Sequence, residues 1–165
     1  MIQAIRDDSG TNTTNYMYLN LYDEVDISTT AYLITRPLIA LKSKQTNNTK
    51  YFVPFKIDGQ SSCIGTCWGG ANTSRYTKLE YLVVDSPGAE VIFNGSIYMG
   101  TDDFPYGLYD MTIYQNNTNT NTNPANVIKV LYTGVWNLTS KNNPAVTYTE
   151  YTTNDSDTES VYLTN

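Results

Sequence analysis

The sequence predicts an all-β protein: an antiparallel β-sandwich followed by a C-terminal β-hairpin. Three features of the 165-residue chain lead there. Several short runs alternate apolar and polar side chains with a period of two, as half-buried strands do. Turn-rich stretches of Gly, Pro, Asn and Ser separate these runs at regular intervals. No stretch has helical periodicity, and the composition favours sheets. The 15 Tyr and the abundant Thr suit a pleated, half-buried surface, while Asn suits turns.

Each element follows from local pattern. Residues 1–14 carry few apolar side chains and read as an irregular N-terminal arm. From Asn15 the chain alternates, with Met17, Leu19 and Leu21 on one face and Tyr16, Tyr18 and Asn20 on the other. "AYLITRPLIALKSKQ" is interrupted by Pro37, which predicts an edge strand or two short strands with a bend. After the turn "QTNNTK", "KYFVPFKID" reads as a strand with Tyr51, Val53 and Phe55 on one side, and Pro54 marks a sheet edge or bulge. Residues 58–74 form a long Gly/Ser/Asn-rich loop, a length that compact domains reserve for functional or mobile segments.

"RYTKLEYLVVD" is the next strand, with Tyr76, Leu79, Tyr81 and Val83 as apolar candidates. "SPGAE" is a turn, and Asn94-Gly95 in "EVIFNGSIYMG" reads as a hairpin turn. A strand follows, with Tyr109, Met111 and Ile113 set against Asp110, Thr112 and Gln115. Its partner "NVIKVLYTGVWNL" groups Ile128, Val130 and Tyr132. Between the two lies a seam of Asn and Thr at 116–126, whose side chains bond to nearby backbone at small desolvation cost, with Pro124 delaying the return strand. "AVTYTEYTT" and "TESVYLT" flank the turn "NDSD" and form the hairpin. The expected organisation is an arm at 1–14, a sandwich at 15–141 and a hairpin extension at 142–165.

Charge narrows the function. The net charge is −6 and there is no Lys/Arg run, so a groove tracking nucleic-acid phosphates is not expected, nor is binding to an anionic membrane. "MIQAIRDDSG" lacks the basic and apolar regions of a secretory signal, so the expectation is folding in a cytoplasm. No window is apolar enough for a membrane-spanning helix. Cys63 and Cys67 in "CIGTCWGG" are too few for a structural zinc site in a chain without His; a loop disulfide or two small loop thiols are the other readings, and the thiols are favoured.

Catalysis and cofactors are not expected. Without His, Ser-His and Cys-His nucleophilic schemes are excluded. Asp102 and Asp103, and Asp155, Asp157 and Glu159, are paired carboxylates at turns, whereas glycoside hydrolysis needs two carboxyls across a cleft. "NDSDTE" alternates oxygen ligands but lacks the glycine and spacing of a calcium loop, so it reads as a solvated turn and no metal is expected. The candidate residues are instead partner-binding ones: Trp68 beside Gly69-Gly70, Tyr76, and Tyr148, Tyr151 and Tyr162 of the hairpin.

Two resemblances sharpen the expectation. "DDFPYGLYDMTIY" resembles the tyrosine corner of immunoglobulin-like domains, with Tyr109 near the strand start bonding back to the turn and Met111 where an antibody domain has Cys. The sandwich is therefore expected to be immunoglobulin-like or jelly-roll-like. The ensemble of "NTTNYMYLNLYDE", "RYTKLEYLVVD", "YGLYDMTIYQNNTNTNTNPANV" and "YTEYTTNDSDTESVYLTN" resembles short virion-associated proteins of tailed phages of aquatic bacteria, over most of the chain from about Asn12. That resemblance implies a structural module of the virion, assembled in the host cytoplasm. It would decorate the capsid or form part of the neck or tail through contacts with other virion proteins and with its own copies. The N-terminal arm and the hairpin would pair with neighbours by strand addition. The alternative is a carbohydrate- or receptor-binding module of a fibre, using Trp68, Tyr76 and the loops at 58–74 and 116–126.

Overall fold

The computed structural model describes residues 1–26, 28, 36–57 and 76–142. Among them are the strands β1 (Ile2–Arg6), β2 (Thr13–Leu19), β3 (Leu38–Ser43), β4 (Thr49–Phe52), β5 (Lys56–Ile57), β6 (Thr77–Val84), β7 (Ser96–Tyr98), β8 (Gly107–Asn116) and β9 (Val127–Ser140). Helix among the described residues is limited to short 3₁₀ turns such as Pro87–Ala89 and Ile92–Asn94.

The strands form two sheets, one ordered β1-β9-β8-β3-β4 and the other β2-β6-β5, with β7 also pairing with β6. A single buried cluster draws Ala4, Met17, Phe52, Leu79, Tyr81, Ile97, Met111 and Trp136 from both sheets, an arrangement consistent with a β-sandwich. The sheets are mixed, which corrects the expectation of a purely antiparallel fold. β1 runs parallel to β9, and β7 runs parallel to β6. A parallel pair needs a long crossover rather than a tight turn. Residues 85–95 supply one for β7, and the whole intervening chain supplies the other for β1.

The alternation read from Asn15 onward is present in β2, where Met17 and Leu19 are buried and Tyr16 and Tyr18 are exposed. In β6, Leu79, Tyr81 and Val83 are buried as expected, but Tyr76 is exposed. Residues 2–6, expected to be an irregular arm, form β1. Only Ala4 of this strand is fully buried, so the apolar signal is thin and pairing with β9 defines the strand. β1 therefore belongs to the molecule's own sheet.

Three further expectations are corrected by the way the chain crosses between sheets. Pro37 does not mark an edge: β3 lies between β8 and β4 and starts one residue after the proline, so no ladder bond is lost, and the other reading, two short strands with a bend, reaches into residues 31–35, outside the described ones. "KYFVPFKID" is two strands, not one. β4 ends the five-stranded sheet and β5 ends the other path, and the chain changes sheet around Pro54. Val53 is buried as expected, but Tyr51 and Phe55 are only partly so, and Phe52, on the other side of the expected strand, is fully buried. In β9, Leu131 rather than Val130 faces the core, because the β8–β9 register shifts between Ile113 and Tyr114 and again between Gln115 and Asn116.

Gln115, expected on the polar face, has the parity of Tyr109, Met111 and Ile113 and is completely buried with them. Its amide nitrogen donates to the Asp26 carbonyl (2.8 Å), and its amide oxygen accepts the Asp26 N–H (2.6 Å). The Asn94-Gly95 turn is present, with Gly95 at φ 68° and a bridge between Val91 and Ser96. It leads into the parallel strand β7 rather than closing a hairpin of two full strands.

The centre of the core is aromatic. Trp136 donates its indole N–H to the Tyr81 hydroxyl at 2.9 Å, and Tyr109 meets Trp136 edge-on with 5.2 Å between ring centres. The Tyr109 hydroxyl donates to the Pro105 carbonyl, the bond expected of a tyrosine corner. Burial pushes the phenols of Tyr81 and Tyr109 well above the usual tyrosine range.

Candidate interaction surface

The outer face of the four-stranded sheet is the most exposed aromatic surface among the described residues. The period-two geometry of β2 turns Tyr16 and Tyr18 outward, 44% and 61% exposed, and Tyr76 just ahead of β6 is 55% exposed. Register places Tyr16 opposite Glu80 and Tyr18 opposite Lys78. The Lys78 ammonium lies 4.3 Å from the centre of the Tyr16 ring and 3.2 Å from one Glu80 carboxylate oxygen. Lys56 stands 3.8 Å from the other oxygen. Glu80 is only 7% exposed, so its charge is held between two cations. The Glu80 carboxylate in turn raises the pKa of Lys78. The face thus presents tyrosine rings over a floor in which two lysines bracket one carboxylate. Tyrosine supplies wide contact area with few torsions to freeze, plus a hydroxyl at its tip.

A second concavity lies at one end of the five-stranded sheet. It is an open groove of about 490 Å³ lined by Tyr106, Gly107 and Asn137 through Ser140 of β9. Its rim is an ionic clamp. Asp8 accepts hydrogen bonds from the Tyr106 and Ser140 hydroxyls, and Lys141 pairs with Asp7 at 2.6 Å. Arg6 reaches the carbonyls of Met99 and Gly100 and lies 3.4 Å from Asp85. The bonds from Lys141 and Ser9 hold the Asp7 carboxyl down at about 2. Those from Ser140 and Tyr106 lower that of Asp8. Burial, and then Asp8, pushes the Tyr106 phenol up to about 12. Since these carboxylates already accept bonds from their neighbours, the clamp fastens the end of β1 to β8 and β9.

The Asn/Thr seam behaves as its chemistry requires. The Asn121 amide donates to the Asn116 side chain (2.7 Å) and to the carbonyls of Asn123 and Asn126, while the Asn123 side chain accepts the Ala125 N–H. The Asn119 side chain accepts the Arg36 N–H at 2.7 Å, tying the seam to the start of β3. Pro124–Asn126 is a 3₁₀ turn, and β9 begins directly after it.

Of the residues singled out in the sequence, Tyr76 lies on the tyrosine face. Trp68, Tyr148, Tyr151 and Tyr162 lie outside the described residues, as do Cys63, Cys67, the loop 58–74 and the hairpin beyond Asn142. Asp102 and Asp103 are exposed, and the Asp103 carbonyl accepts from the Thr46 hydroxyl at 2.8 Å. Asp155, Asp157 and Glu159 are likewise outside the described residues. Sequence reasoning passed over Tyr16 and Tyr18 as binding candidates. Their signal was present as the polar side of the first alternating strand, but only pairing with β6 shows that they share a face with Lys78 and Glu80.

Among the described residues no group of three or more His, Cys, Asp or Glu is placed to hold a metal ion, and no helix is long and apolar enough to cross a membrane. Comparison of the chain with protein-family models, with curated proteins and with solved structures finds no match.

Proposed function

We propose that this protein is a structural or accessory component of a phage virion, decorating the capsid or forming part of the neck or tail through contacts with other virion proteins and its own copies. The observation that carries this reading is the tyrosine face. Tyr16, Tyr18 and Tyr76 are exposed together on one sheet, over a floor in which Lys56 and Lys78 bracket the Glu80 carboxylate. The neutral tyrosine rings and hydroxyls suit contacts that depend less on salt than ion pairs do. The resemblance to virion-associated proteins of tailed phages points the same way, and the tyrosine corner at Tyr109 favours the immunoglobulin-like over the jelly-roll-like form of the sandwich.

The decisive experiment is mass spectrometry of purified particles, followed by incorporation of Tyr16→Ala/Tyr18→Ala. The protein is expected in the particle at fixed stoichiometry. The double variant should fold normally yet incorporate on the order of tenfold less, a loss typical of removing central aromatic anchors. Absence from purified particles ends the proposal; normal incorporation of the double variant ends the role of the face. Removal of residues 144–165 tests the hairpin in the same assay, with lost incorporation and retained fold as the expected result.

One observation favours a second reading. The groove beside Tyr106 is lined by neutral hydrogen-bonding side chains, Asn137, Thr139 and Ser140, which together with an aromatic ring suit a sugar. A glycan array with the parent protein, Trp68→Ala and Tyr106→Phe discriminates. No binding by the parent protein removes this alternative.

A further inference from the structure

The chain passes Asn142 at a defined place in the fold. Strand β9 ends at Ser140, the Lys141 N–H donates to the Arg6 carbonyl at 2.8 Å, and the Lys141 ammonium pairs with Asp7 at 2.6 Å. Asp7 in turn bridges to Thr11, and its N–H is taken by the Thr13 hydroxyl at 3.0 Å. Thr13 opens β2, so Asn142 lies at the end of the four-stranded sheet where the tyrosine-bearing strand begins. Tyr16 stands three positions along that strand, about 10 Å further on at about 3.4 Å per residue.

The residues after Asn142 have a chemistry of their own. Residues 143–165 hold four of the chain's 16 Asp and Glu, namely Glu150, Asp155, Asp157 and Glu159, and none of its 10 Lys and Arg. They also hold Tyr148, Tyr151 and Tyr162. The face of Tyr16 and Tyr18 is complementary. It sets Lys56 and Lys78 against the single carboxylate of Glu80, which leaves one positive charge over in a chain whose net charge is −6. The two lysine side chains are 37% and 34% exposed, whereas Glu80 is buried between them. An approaching segment therefore meets rings and cations before it meets the carboxylate.

We propose that residues 143–165 of the same chain dock on the outer face of the four-stranded sheet, with their carboxylates beside Lys56 and Lys78 and their tyrosines on Tyr16 and Tyr18. Reach is no obstacle: at about 3.3–3.6 Å per residue the segment spans up to roughly 80 Å. The occupant is the chain's own segment because tethering at Asn142 holds it near the face at roughly millimolar effective concentration. A two-stranded hairpin, the form expected for these residues, is marginal in water by itself and gains a surface to rest on. Docked, the segment is a local unit of low stability that leaves the face before the sheets part on heating, so the thermal midpoint does not report on it. The proposal rests on reading this face as a contact surface and adds the segment to that surface; it does not need the virion role.

The test is zero-length carbodiimide coupling of carboxylates to amines in the purified full-length protein, with the joined peptides identified by mass spectrometry. Coupling of Lys78 to Glu80, 3.2 Å apart, controls for reagent access. The expected products join Lys56 or Lys78 to an acidic residue of 143–165 within one chain, at a yield independent of protein concentration. Tyr16→Ala/Tyr18→Ala should lower that yield on the order of tenfold while Lys78–Glu80 coupling persists. Absence of such products from the parent protein overturns the proposal. Products found only between chains overturn it too, because a neighbouring copy is then the occupant. An undiminished yield in the double variant does the same, since the attraction is then of charge alone. Should the double variant not fold, Asp155→Asn/Asp157→Asn, which changes no residue of β1 to β9, is judged in its place. Coupling through Glu150 and Glu159 should then fall severalfold, and an unchanged yield overturns the proposal. Every outcome is read on purified protein, so it stands apart from whether the protein is found in particles.

Discussion

Single residues carry much of the specificity here. Trp136 is fully buried, touches Tyr109 edge-on and spends its only polar atom on Tyr81. Trp136→Ala is expected to cost about 3–5 kcal/mol, the range for emptying an aromatic core site, measured by urea denaturation. Tyr109→Phe keeps the ring contact and loses only the bond to Pro105, so its cost should be about 0.5–1.5 kcal/mol. If the two losses are equal, the ring packing attributed to this centre is wrong. Gly95 has a different reason to be fixed. Its φ of 68° lies in the left-handed region, and a Cβ there would collide with the Phe55 amide nitrogen. Gly95→Ala should therefore destabilise by more than about 1 kcal/mol, with the thermal midpoint as readout.

Between elements, the joints are polar. The end of β1 is fastened by Asp7 to Lys141 and by Asp8 to Ser140 and Tyr106. Both carboxyls ionise more readily in the folded chain than in the unfolded one, where the value is 3.8, with Asp7 down at about 2. Their contribution is complete above the unfolded value and is lost as pH falls below it, for Asp7 through about 2. Tyr106 works in the opposite sense. Its phenol is raised from 10.0 to about 12, so its contribution is complete below pH 10 and is lost as pH rises through about 12. Thermal midpoints across pH should show both limbs. Asp7→Asn should flatten the acid limb, and Tyr106→Phe the alkaline one. An acid limb unchanged in Asp7→Asn would remove this clamp from the account of acid unfolding. The bulges in β9 are the other joint, since they turn Leu131 inward and return the strand to register before Trp136 and Leu138.

For the molecule as a whole, exposure is uneven: the outer face of the four-stranded sheet presents Tyr16, Tyr18 and Tyr76, while the end of β1 is closed by the Asp7–Lys141 and Asp8–Ser140 contacts. On the proposed reading, the expectation at this scale is that Tyr16→Ala/Tyr18→Ala weakens assembly without lowering the thermal midpoint. A lowered midpoint would make the face part of the fold rather than a contact surface.

What the sequence determined by itself was local. The alternation of Met17 and Leu19 against Tyr16 and Tyr18, the buried triplet Leu79, Tyr81 and Val83, the Asn/Thr turn before Val127 and the corner bond of Tyr109 all depend on neighbours within a few residues, so pattern alone revealed them. Tertiary structure decided whatever depends on partners far away in the chain. Strand β1 exists because β9 lies beside it, and Phe52 turns inward because the chain changes sheet near Pro54. Gln115 continues the two-residue period of Tyr109, Met111 and Ile113, but the group that satisfies its buried amide, Asp26, lies far away in the chain. Tyr16, Tyr18 and Tyr76 become one surface only when β2 pairs with β6. The physical reason is common to these cases: hydrogen-bond satisfaction between distant segments leaves no period in the sequence, whereas burial along a strand leaves a period of two.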